Sequence, residues 1–239
     1  KVPLGPDGRM EPSAVAPRLD GGVAGIIVTN PNTLGIFESA LPEISRLAHD
    51  QGGLVYGDGA NHNAVMGRVD MKKTGVDVIH YNLHKSMSTP HGGGGPGSGP
   101  VAVAATLEPY LPGPRVVKQG DAFAWRDDLP LSIGRLHAFH GQFGIYLRAY
   151  AYLLSIGKRI REVSGLAVLN ANYVRERLRG AYELPFAADA MHECVFTDAL
   201  QKGAKVSTLD IAKRLVDMGF HPPTVYFPLV VNGAIMIEP

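Results

Sequence analysis

The sequence has one cysteine, almost no net charge and no long apolar run, and each of these shortages excludes a class of protein. Cys194 is the only cysteine, so no disulfide forms within the chain, which fits a reducing cytosol. The formal net charge of +1 favours neither nucleic acid nor an acidic membrane surface as a partner. No run of about 18 apolar residues predicts a transmembrane helix. The histidines lack the spacing of metal ligands, and we predict no metal site.

What the sequence does contain is most informative in residues 77–103. A short apolar run leads to Lys85, and a glycine-rich loop at 92–99 separates this lysine from a second apolar run. The loop lacks the Gly-Lys-Ser/Thr ending of a P-loop, and it leads into a strand rather than into the helix of a dinucleotide-binding fingerprint. Taken alone, such a loop is more often a surface turn than a binding site.

Lys85 changes this interpretation, because a lysine in a desolvated pocket has a lowered pKa and can attack an aldehyde. Enzymes that use pyridoxal phosphate in this way also hold the pyridine nitrogen of the cofactor with a carboxylate. Asp58 follows the apolar residues 54–56, and a parallel sheet would bring it to the same edge as Lys85. Asp58 alone could equally be a turn residue, but the lysine and the glycine loop together favour a cofactor site.

Longer segments carry a resemblance to a known family. They are YGDGANHNAV (56–65), DVIHYNLHKSMSTPHGGGGPGSGPVAV (77–103), NANY (170–173), MHEC (191–194), DIAKRL (210–215) and GFHPPTVYFP (219–228). Together they resemble the glycine decarboxylase P-protein family, the pyridoxal-phosphate enzymes of the glycine cleavage system. The chain is most similar to the second subunit of the two-subunit bacterial form.

This resemblance implies an activity and a set of partners. The activity is decarboxylation of glycine, with transfer of the aminomethyl group to the lipoyl arm of H-protein. A sister P-protein subunit would complete a cytoplasmic hetero-oligomer. The chain is expected to be part of a longer subunit, with an N-terminal portion and a short C-terminal helix outside it; a true short paralogue is the alternative.

The resemblance also assigns roles to single residues. The expected catalytic residues are Lys85, Asp58 and His84, although His84 could instead be a packing residue. The expected cofactor contacts are Lys85, Asp58, Ala60, Asn32, Thr33 and His91, with Ala60 lying against the ring. The glycines expected to shape a substrate channel are Gly92, Gly93, Gly94 and Gly95. The roles of His62, His192 and His221 stay open.

The apolar pattern predicts an α/β fold with a mainly parallel sheet, and the resemblance implies fold type I of the pyridoxal-phosphate enzymes. Continuous apolar runs at 23–28 and 54–56 flank an amphipathic helix at 39–50, which is typical of a strand–helix–strand unit. We expect residues 1–150 to belong to the cofactor-binding large domain, 151–180 to form a linking helix and 181–239 to form a small α+β domain.

Three predictions concern the second half of the chain. Residues 132–158 are predicted to form one long helix with an apolar, core-facing aromatic face. A helix over 160–178 is predicted to expose its arginines, among them Arg175. Residues 226–231 and 234–237 are predicted to pair around Asn232-Gly233 as a hairpin.

Three other functions remain open from the sequence. The chain could be an inactive scaffold, another pyridoxal enzyme such as a cysteine desulfurase-like protein, or a phosphate-binding module unrelated to catalysis. The sequence HGGGGPGSGP argues against the second of these.

Overall fold

A computed structural model describes all residues, Lys1–Pro239. It contains three sheets, of four, two and three strands, with helices packed around them. None of its helices is both long enough and apolar enough to cross a membrane.

The first sheet carries the predicted strand–helix–strand unit. Its strands are β1 (Gly25–Thr29), β2 (Leu54–Gly59), β3 (Val78–Tyr81) and β4 (Val101–Val103), in that spatial order. β1, β2 and β3 run parallel to one another, and β4 closes the sheet as an antiparallel edge. The helices of this part are α1 (Pro12–Val15), α2 (Leu41–Asp50) and α3 (Leu83–Ser86). The prediction of a mainly parallel sheet is confirmed.

The register of the first sheet brings polar residues to one edge. Asp58 on β2 pairs with Thr29 on β1 and with His80 on β3. The short helix α3 begins two residues after β3 ends and carries Lys85. Because parallel strands end at a common edge, the three strand residues and Lys85 lie at the same side of the sheet.

The middle of the chain differs from the predicted long helix. Residues 115–126 form a hairpin of β5 (Arg115–Gln119) and β6 (Ala122–Arg126), and helix α4 covers only Phe143–Ile156. Gly134 and Gly141 adopt φ values of +89° and +92°, which an α-helix does not accommodate. The prediction of a helix from residue 132 is therefore wrong in its first half.

The apolar face of α4 is also not in a core. Ile145 and Ala149 are buried against Leu83, whereas the side chains of Phe143 and Leu154 are 70% and 65% exposed. The expectation that the apolar face of this helix packs in a core is wrong for these side chains, because no other element covers them. The periodicity correctly indicated a helix, but it could not show which surface faces the core.

Helix α5 (Ile160–Leu178) has the predicted bounds, but one of its arginines is inside. Arg175 is only 5% exposed, since residues 187–190 fold back over the helix. Its guanidinium donates hydrogen bonds to the Ala187 carbonyl at 2.7 Å and to Glu176 at 2.8 Å. The prediction that Arg175 is solvent-exposed is therefore wrong.

The third sheet contains β7 (Cys194–Thr197), β8 (Thr224–Val225) and β9 (Ala234–Ile237), in the antiparallel order β7-β9-β8. Helix α6 (Thr208–Asp217) has Ser207 as its N-cap, and Ser207 forms a capping box with Asp210. The predicted hairpin is wrong in one strand, because residues 226–231 form a loop. Tyr226 has a positive φ of 57°, and Pro228 has no N–H to donate to a ladder.

An apolar cluster joins the first and third sheets. Leu34 and Ile36, from the loop after β1, pack with Val195 on β7 and with Ala234 and Met236 on β9. Burying each large aliphatic side chain stabilises the fold by roughly 1.5–3 kcal/mol. This cluster fixes the third sheet beside the edge that carries Asp58 and Lys85.

Candidate functional site

A cavity of about 590 Å³ lies at the carboxyl edge of the first sheet. Asp58, Ala60 and Lys85 line it from the side of the first sheet. Glu193 and Glu238 line it from the side of the third sheet. The site is therefore built where two sheets meet, which is a usual place for a ligand in an α/β protein.

Asp58 is held firmly at the end of β2. Its Oδ1 accepts a hydrogen bond from the backbone N–H of Ala60 at 2.8 Å and lies 3.2 Å from Nε2 of His80. His80 in turn lies 2.9 Å, through Nδ1, from the hydroxyl of Tyr56. These contacts orient the Asp58 carboxylate.

His80 is a site residue that the sequence analysis missed. It stands directly opposite Asp58 in the parallel register of β2 and β3. Aligning the ends of the two apolar runs, Tyr56 and Ile79, would set Tyr81 rather than His80 opposite Asp58. Without a known register, His80 was only one polar residue in a strand.

Lys85 points into the open cavity from α3. The residue is exposed, and its ammonium group makes neither a side-chain hydrogen bond nor an ion pair within residues 1–239. A lysine that attacks an aldehyde is expected to be desolvated, and the residues of this chain alone do not desolvate Lys85. They do leave the amine free to react.

His84 and His91 form a contact beside Lys85. Their rings pack edge to face with centroids 4.6 Å apart, and His84 lines the cavity. Burial lowers the pKa of His84, and the nearby charges of His91 and Lys85 lower it further. Nδ1 of His84 is buried without a hydrogen-bond partner. His84 is thus a neutral ring next to the reactive amine, whereas His91 is outside the cavity lining.

The two expected contacts after β1 have different positions. Thr33 lines the cavity, whereas Asn32 does not. The amide nitrogen of Asn32 donates to the Glu38 carboxylate at 2.7 Å, and its oxygen accepts from the backbone N–H groups of Leu34 and Ile36. The side chain of Asn32 therefore builds the turn rather than facing the cavity.

The glycine loop lies beside the cavity rather than in its wall. Gly92, Gly93, Gly94 and Gly95 all adopt positive φ, and none of them lines the cavity. Gly97 approaches the His84 ring, so that an added Cβ would lie 3.5 Å from Nδ1. The loop thus supports His84, and its role as a substrate channel stays a prediction.

Glu193, His192 and Glu238 form a cluster that the sequence analysis did not assemble. Their nearest side-chain oxygen and nitrogen atoms all lie within 4.8 Å of one another. Burial raises the pKa of Glu193 to about 8, helped by the charge of Glu238 and opposed by that of Lys85. Burial also lowers the pKa of His192 to about 4, and the charge of Lys85 acts in the same direction. Five helices and strands, β4, β5, β6, α4 and α5, lie between Lys85 and Glu193 along the chain, so no local motif indicated Glu193.

The other two open histidines lie away from the cavity lining. His62 packs edge-on against Tyr81 with centroids 4.8 Å apart, and burial lowers its pKa. His221 is exposed, with Nδ1 3.1 Å from the carbonyl oxygen of Pro222. Neither residue is in reach of Lys85 through the described contacts.

The donor set of the cavity fits pyridoxal phosphate at its reactive end. Lys85 supplies an amine for the aldehyde, Asp58 supplies an oriented carboxylate for the ring nitrogen, and Ala60 leaves room for a flat ring. The only cation among the lining residues is Lys85, so the hydroxyls of Thr29, Thr33 and Thr224 are the neutral hydroxyl donors of the lining that could hold the phosphate.

Cys194 is not a nucleophile of this site. The residue is 2% exposed, and burial raises the pKa of its thiol to about 12. A thiol with that pKa stays protonated and unreactive near neutral pH. Because it is the only cysteine, residues 1–239 contain no candidate for the reactive thiol of a cysteine desulfurase.

Comparison with known proteins agrees with the architecture. The class-V aminotransferase family model matches residues 1–122, and the model described as glycine dehydrogenase, C-terminal domain, matches residues 163–239. A protein of Alkaliphilus oremlandii named probable glycine dehydrogenase (decarboxylating) subunit 2 is 51% identical over 239 residues, 100% of this chain and 49% of the relative. A protein of the same name from Staphylococcus epidermidis is 53% identical over 92% of this chain and 44% of the relative. The chain thus spans about half the length of these relatives.

Solved structures share the fold at low sequence identity. Glycine decarboxylase (P-protein) of the glycine cleavage system, in inhibitor-bound form, superposes with a TM-score of 0.76 and 18% identity, over 99% of this chain and 54% of that one. The cysteine desulfurase of Thermococcus onnurineus NA1 gives a TM-score of 0.70 and 18% identity, over 99% of this chain and 60% of that one. The α/β fold of these structures agrees with the family model that matches residues 1–122. The chain belongs to the class-V aminotransferase family, and proteins named probable glycine dehydrogenase (decarboxylating) subunit 2 are among its similar relatives.

Proposed function

We propose that this chain is the catalytic part of a pyridoxal-phosphate enzyme that decarboxylates glycine and transfers the aminomethyl group to the lipoyl arm of H-protein. The observation that carries the proposal is one cavity lined by Lys85, Asp58 and Ala60, in which His80 orients the aspartate. The names of the most similar relatives supply the substrate.

Each residue has a defined task in this proposal. Lys85 would hold the aldehyde end of the cofactor through its amine. Asp58 would hold the ring nitrogen, and His80 and the Ala60 N–H keep the carboxylate in place. Bound pyridoxal phosphate would accept the electron pair that remains when CO2 leaves glycine. His84, as a neutral ring beside Lys85, can accept a proton from the amine.

The remaining assignments follow from the family. We propose a sister subunit as partner, a cytoplasmic location and the domain limits 1–150, 151–180 and 181–239. The exposed apolar face of α4 supports a partner surface in this half of the chain. Asn32, His91 and the loop Gly92, Gly93, Gly94 and Gly95 remain proposed contacts for the cofactor and for the path of the lipoyl arm.

The test is borohydride reduction of the full-length protein with pyridoxal phosphate, followed by mass mapping. We expect a visible absorbance band that disappears on reduction and a cofactor adduct on the peptide that contains Lys85. Lys85→Ala should remove both the band and the adduct, because no other lysine lines the cavity.

Lys213→Ala is the matched control, since Lys213 is exposed on α6 and far from the cavity lining. It should leave the band and the adduct unchanged. A folded protein that shows no band would contradict the proposal and would favour an inactive scaffold.

A further inference from the structure

Glu193 is a buried carboxyl group in the cavity of Lys85, and the tasks described above do not use it. Its side chain is 5% exposed, and the residue stands immediately before β7. Oε1 accepts a hydrogen bond from Nδ2 of Asn61 at 3.3 Å. No arginine or lysine forms an ion pair with it within residues 1–239. A buried carboxylate without a cation is costly, so the neutral acid is favoured.

The charged and titratable groups that face Glu193 are His192, Glu238 and Lys85. Nε2 of His192 lies 3.7 Å from Oε2 of Glu193, and a carboxylate oxygen of Glu238 lies within 4.8 Å of both side chains. Glu238 is exposed, and its Oε1 accepts a hydrogen bond from Nδ2 of Asn63 at 2.9 Å. The pair of carboxyl groups thus connects the cavity to solvent.

The backbone at Glu193 is fixed by the turn after β1. Gly35 adopts a φ of +75°, and a Cβ at this position would overlap the carbonyl oxygen of Glu193. The N–H of Met191 donates to the Gly35 carbonyl at 2.6 Å. The side chain is therefore aimed into the cavity by a close backbone contact.

We propose that Glu193 is the proton donor of the cavity: it gives its proton to the reacting substrate and recovers one from solvent through Glu238. The inference rests on the proposed function. Glu193 lines the same cavity as Lys85, its side-chain oxygen lies within 4.8 Å of a Glu238 oxygen, and the charge of Glu238 helps to keep a proton on Glu193.

The proposed reaction needs such a donor because it takes up one proton. The bond between the two carbons of glycine breaks, and CO2 leaves. The electron pair left on carbon forms a carbon–sulfur bond with one sulfur of the lipoyl disulfide. The sulfur–sulfur bond breaks, its electron pair stays on the second sulfur, and that thiolate takes the proton of Glu193. Burial raises the pKa of Glu193 to about 8, which brings this acid close to the range of alkyl thiols, for which cysteine has a pKa of about 8.5.

The first experiment measures the proton on Glu193 without any activity. Infrared difference spectra of the full-length protein, labelled with carboxyl-13C glutamate, are recorded on either side of pH 8. We expect a protonated carboxyl band that is lost as the pH rises through about 8 and that is absent in Glu193→Gln. Glu238→Gln should move the transition to lower pH, because it removes a like charge, and it should fold because Glu238 is exposed.

The second experiment is the pH profile of aminomethyl transfer to lipoylated H-protein. Glu193→Gln should lower kcat by about 10²-fold or more and remove the alkaline limb, with little change in the KM for glycine. Borohydride labelling of Lys85 should be unchanged. The matched control is Glu183→Gln, because Glu183 is exposed and hydrogen-bonds to Thr197 in the same sheet region, away from the cavity. It should change neither readout.

The outcomes separate the two proposals. If the enzyme is active but Glu193 shows no protonated band, or if Glu193→Gln keeps the wild-type pH limb, the proton-donor role is wrong and the glycine reaction stands. If the protein labels on Lys85 but does not react with glycine, the proposed function and this role both fall.

Discussion

At the scale of single residues, the carboxyl group of Asp58 has a fixed direction in the cavity. The side chain is about one-third exposed, yet it is held by the Ala60 N–H and by His80, which itself contacts Tyr56. A carboxylate held by two neighbouring groups keeps its direction. This arrangement suits a group that must keep a proton on a ring nitrogen throughout a reaction.

We therefore expect Asp58→Asn to separate cofactor attachment from catalysis. The amide retains the shape of the side chain but cannot carry the negative charge. Lys85 should still be labelled after borohydride, whereas decarboxylation of glycine should fall by about 10²- to 10³-fold, as when one preorganised electrostatic partner is removed. Labelling and CO2 release from the same preparation are the measurements.

Asp50→Asn is the control for this variant, since Asp50 is exposed on α2 and pairs only with Arg46. Its effect on both measurements should be negligible, because exposed pairs contribute little. Full activity of Asp58→Asn would show that another group faces the ring nitrogen.

At the scale of elements, the turn after β1 connects the two halves of the site. Asn32 ties the turn together with four hydrogen bonds, Leu34 and Ile36 pack against the third sheet, and Gly35 touches the backbone of Glu193. The turn therefore fixes the position of Glu193 relative to the first sheet. Its stability should depend on the absence of a side chain at residue 35.

Gly35→Ala and Gly52→Ala form a matched pair that tests this dependence. Both glycines have a positive φ, +75° and +80°, but only Gly35 has backbone atoms where a Cβ would lie. Gly52→Ala should lower the free energy of unfolding by about 1–2 kcal/mol from backbone conformation alone. Gly35→Ala should cost about 1–3 kcal/mol more, because the overlap displaces packed atoms. Urea unfolding measures the free energy of unfolding of both variants. Equal losses of free energy would show that the turn relaxes to accept the added Cβ at residue 35.

Much of the element order could be predicted from the sequence. The run before Asp58 is apolar, the run before Lys85 is mostly apolar, and α2 and α6 have clear apolar stripes and start signals. Asp58 and Lys85 were found because each follows such a run by a few residues. The same local reasoning placed α5 correctly.

What could not be predicted depends on contacts distant in sequence. His80 matters through its register with Asp58, and Glu193 through the packing of the third sheet on the turn after β1. The failed hairpin had a good local signal in Asn232-Gly233, but Gly233 packs against Asp198, and β9 pairs with β7 and β8. Tertiary packing outweighed turn propensity in this case.

At the scale of the whole molecule, apolar surface is left uncovered in one region. The side chains of Phe143, Tyr150 and Leu154 on α4 are more than half exposed, as is Ile27 in β1. Exposed apolar patches of this kind are typical of surfaces that contact other molecules.

The stability of the molecule should also depend on pH through two neighbouring buried groups of opposite kind. The pKa of His192 falls from 6.5 to about 4 on folding, so the stability it contributes is present above pH 6.5 and is lost as the pH falls toward 4. The pKa of Glu193 rises from 4.5 to about 8, so its contribution is present below pH 4.5 and is lost as the pH rises toward 8. The two contributions change stability in opposite directions between pH 4.5 and 6.5. Above pH 6.5 only the contribution of Glu193 changes, so stability falls as the pH rises toward 8.

Two variants should separate these slopes in urea unfolding measured from pH 4 to 9. In the wild-type protein one bound proton changes the free energy of unfolding by up to about 1.4 kcal/mol per pH unit. In Glu193→Gln the loss of stability between pH 6.5 and 8 should disappear. In His192→Gln the slope between pH 4.5 and 6.5 should instead become more negative, because only Glu193 then titrates there. Glu183→Gln should retain the wild-type curve, since its carboxyl is exposed. A wild-type curve that rises between pH 6.5 and 8 and is unchanged by Glu193→Gln would mean that Glu193 is ionised in the folded protein, and the acid in the Lys85 cavity would have to be sought elsewhere.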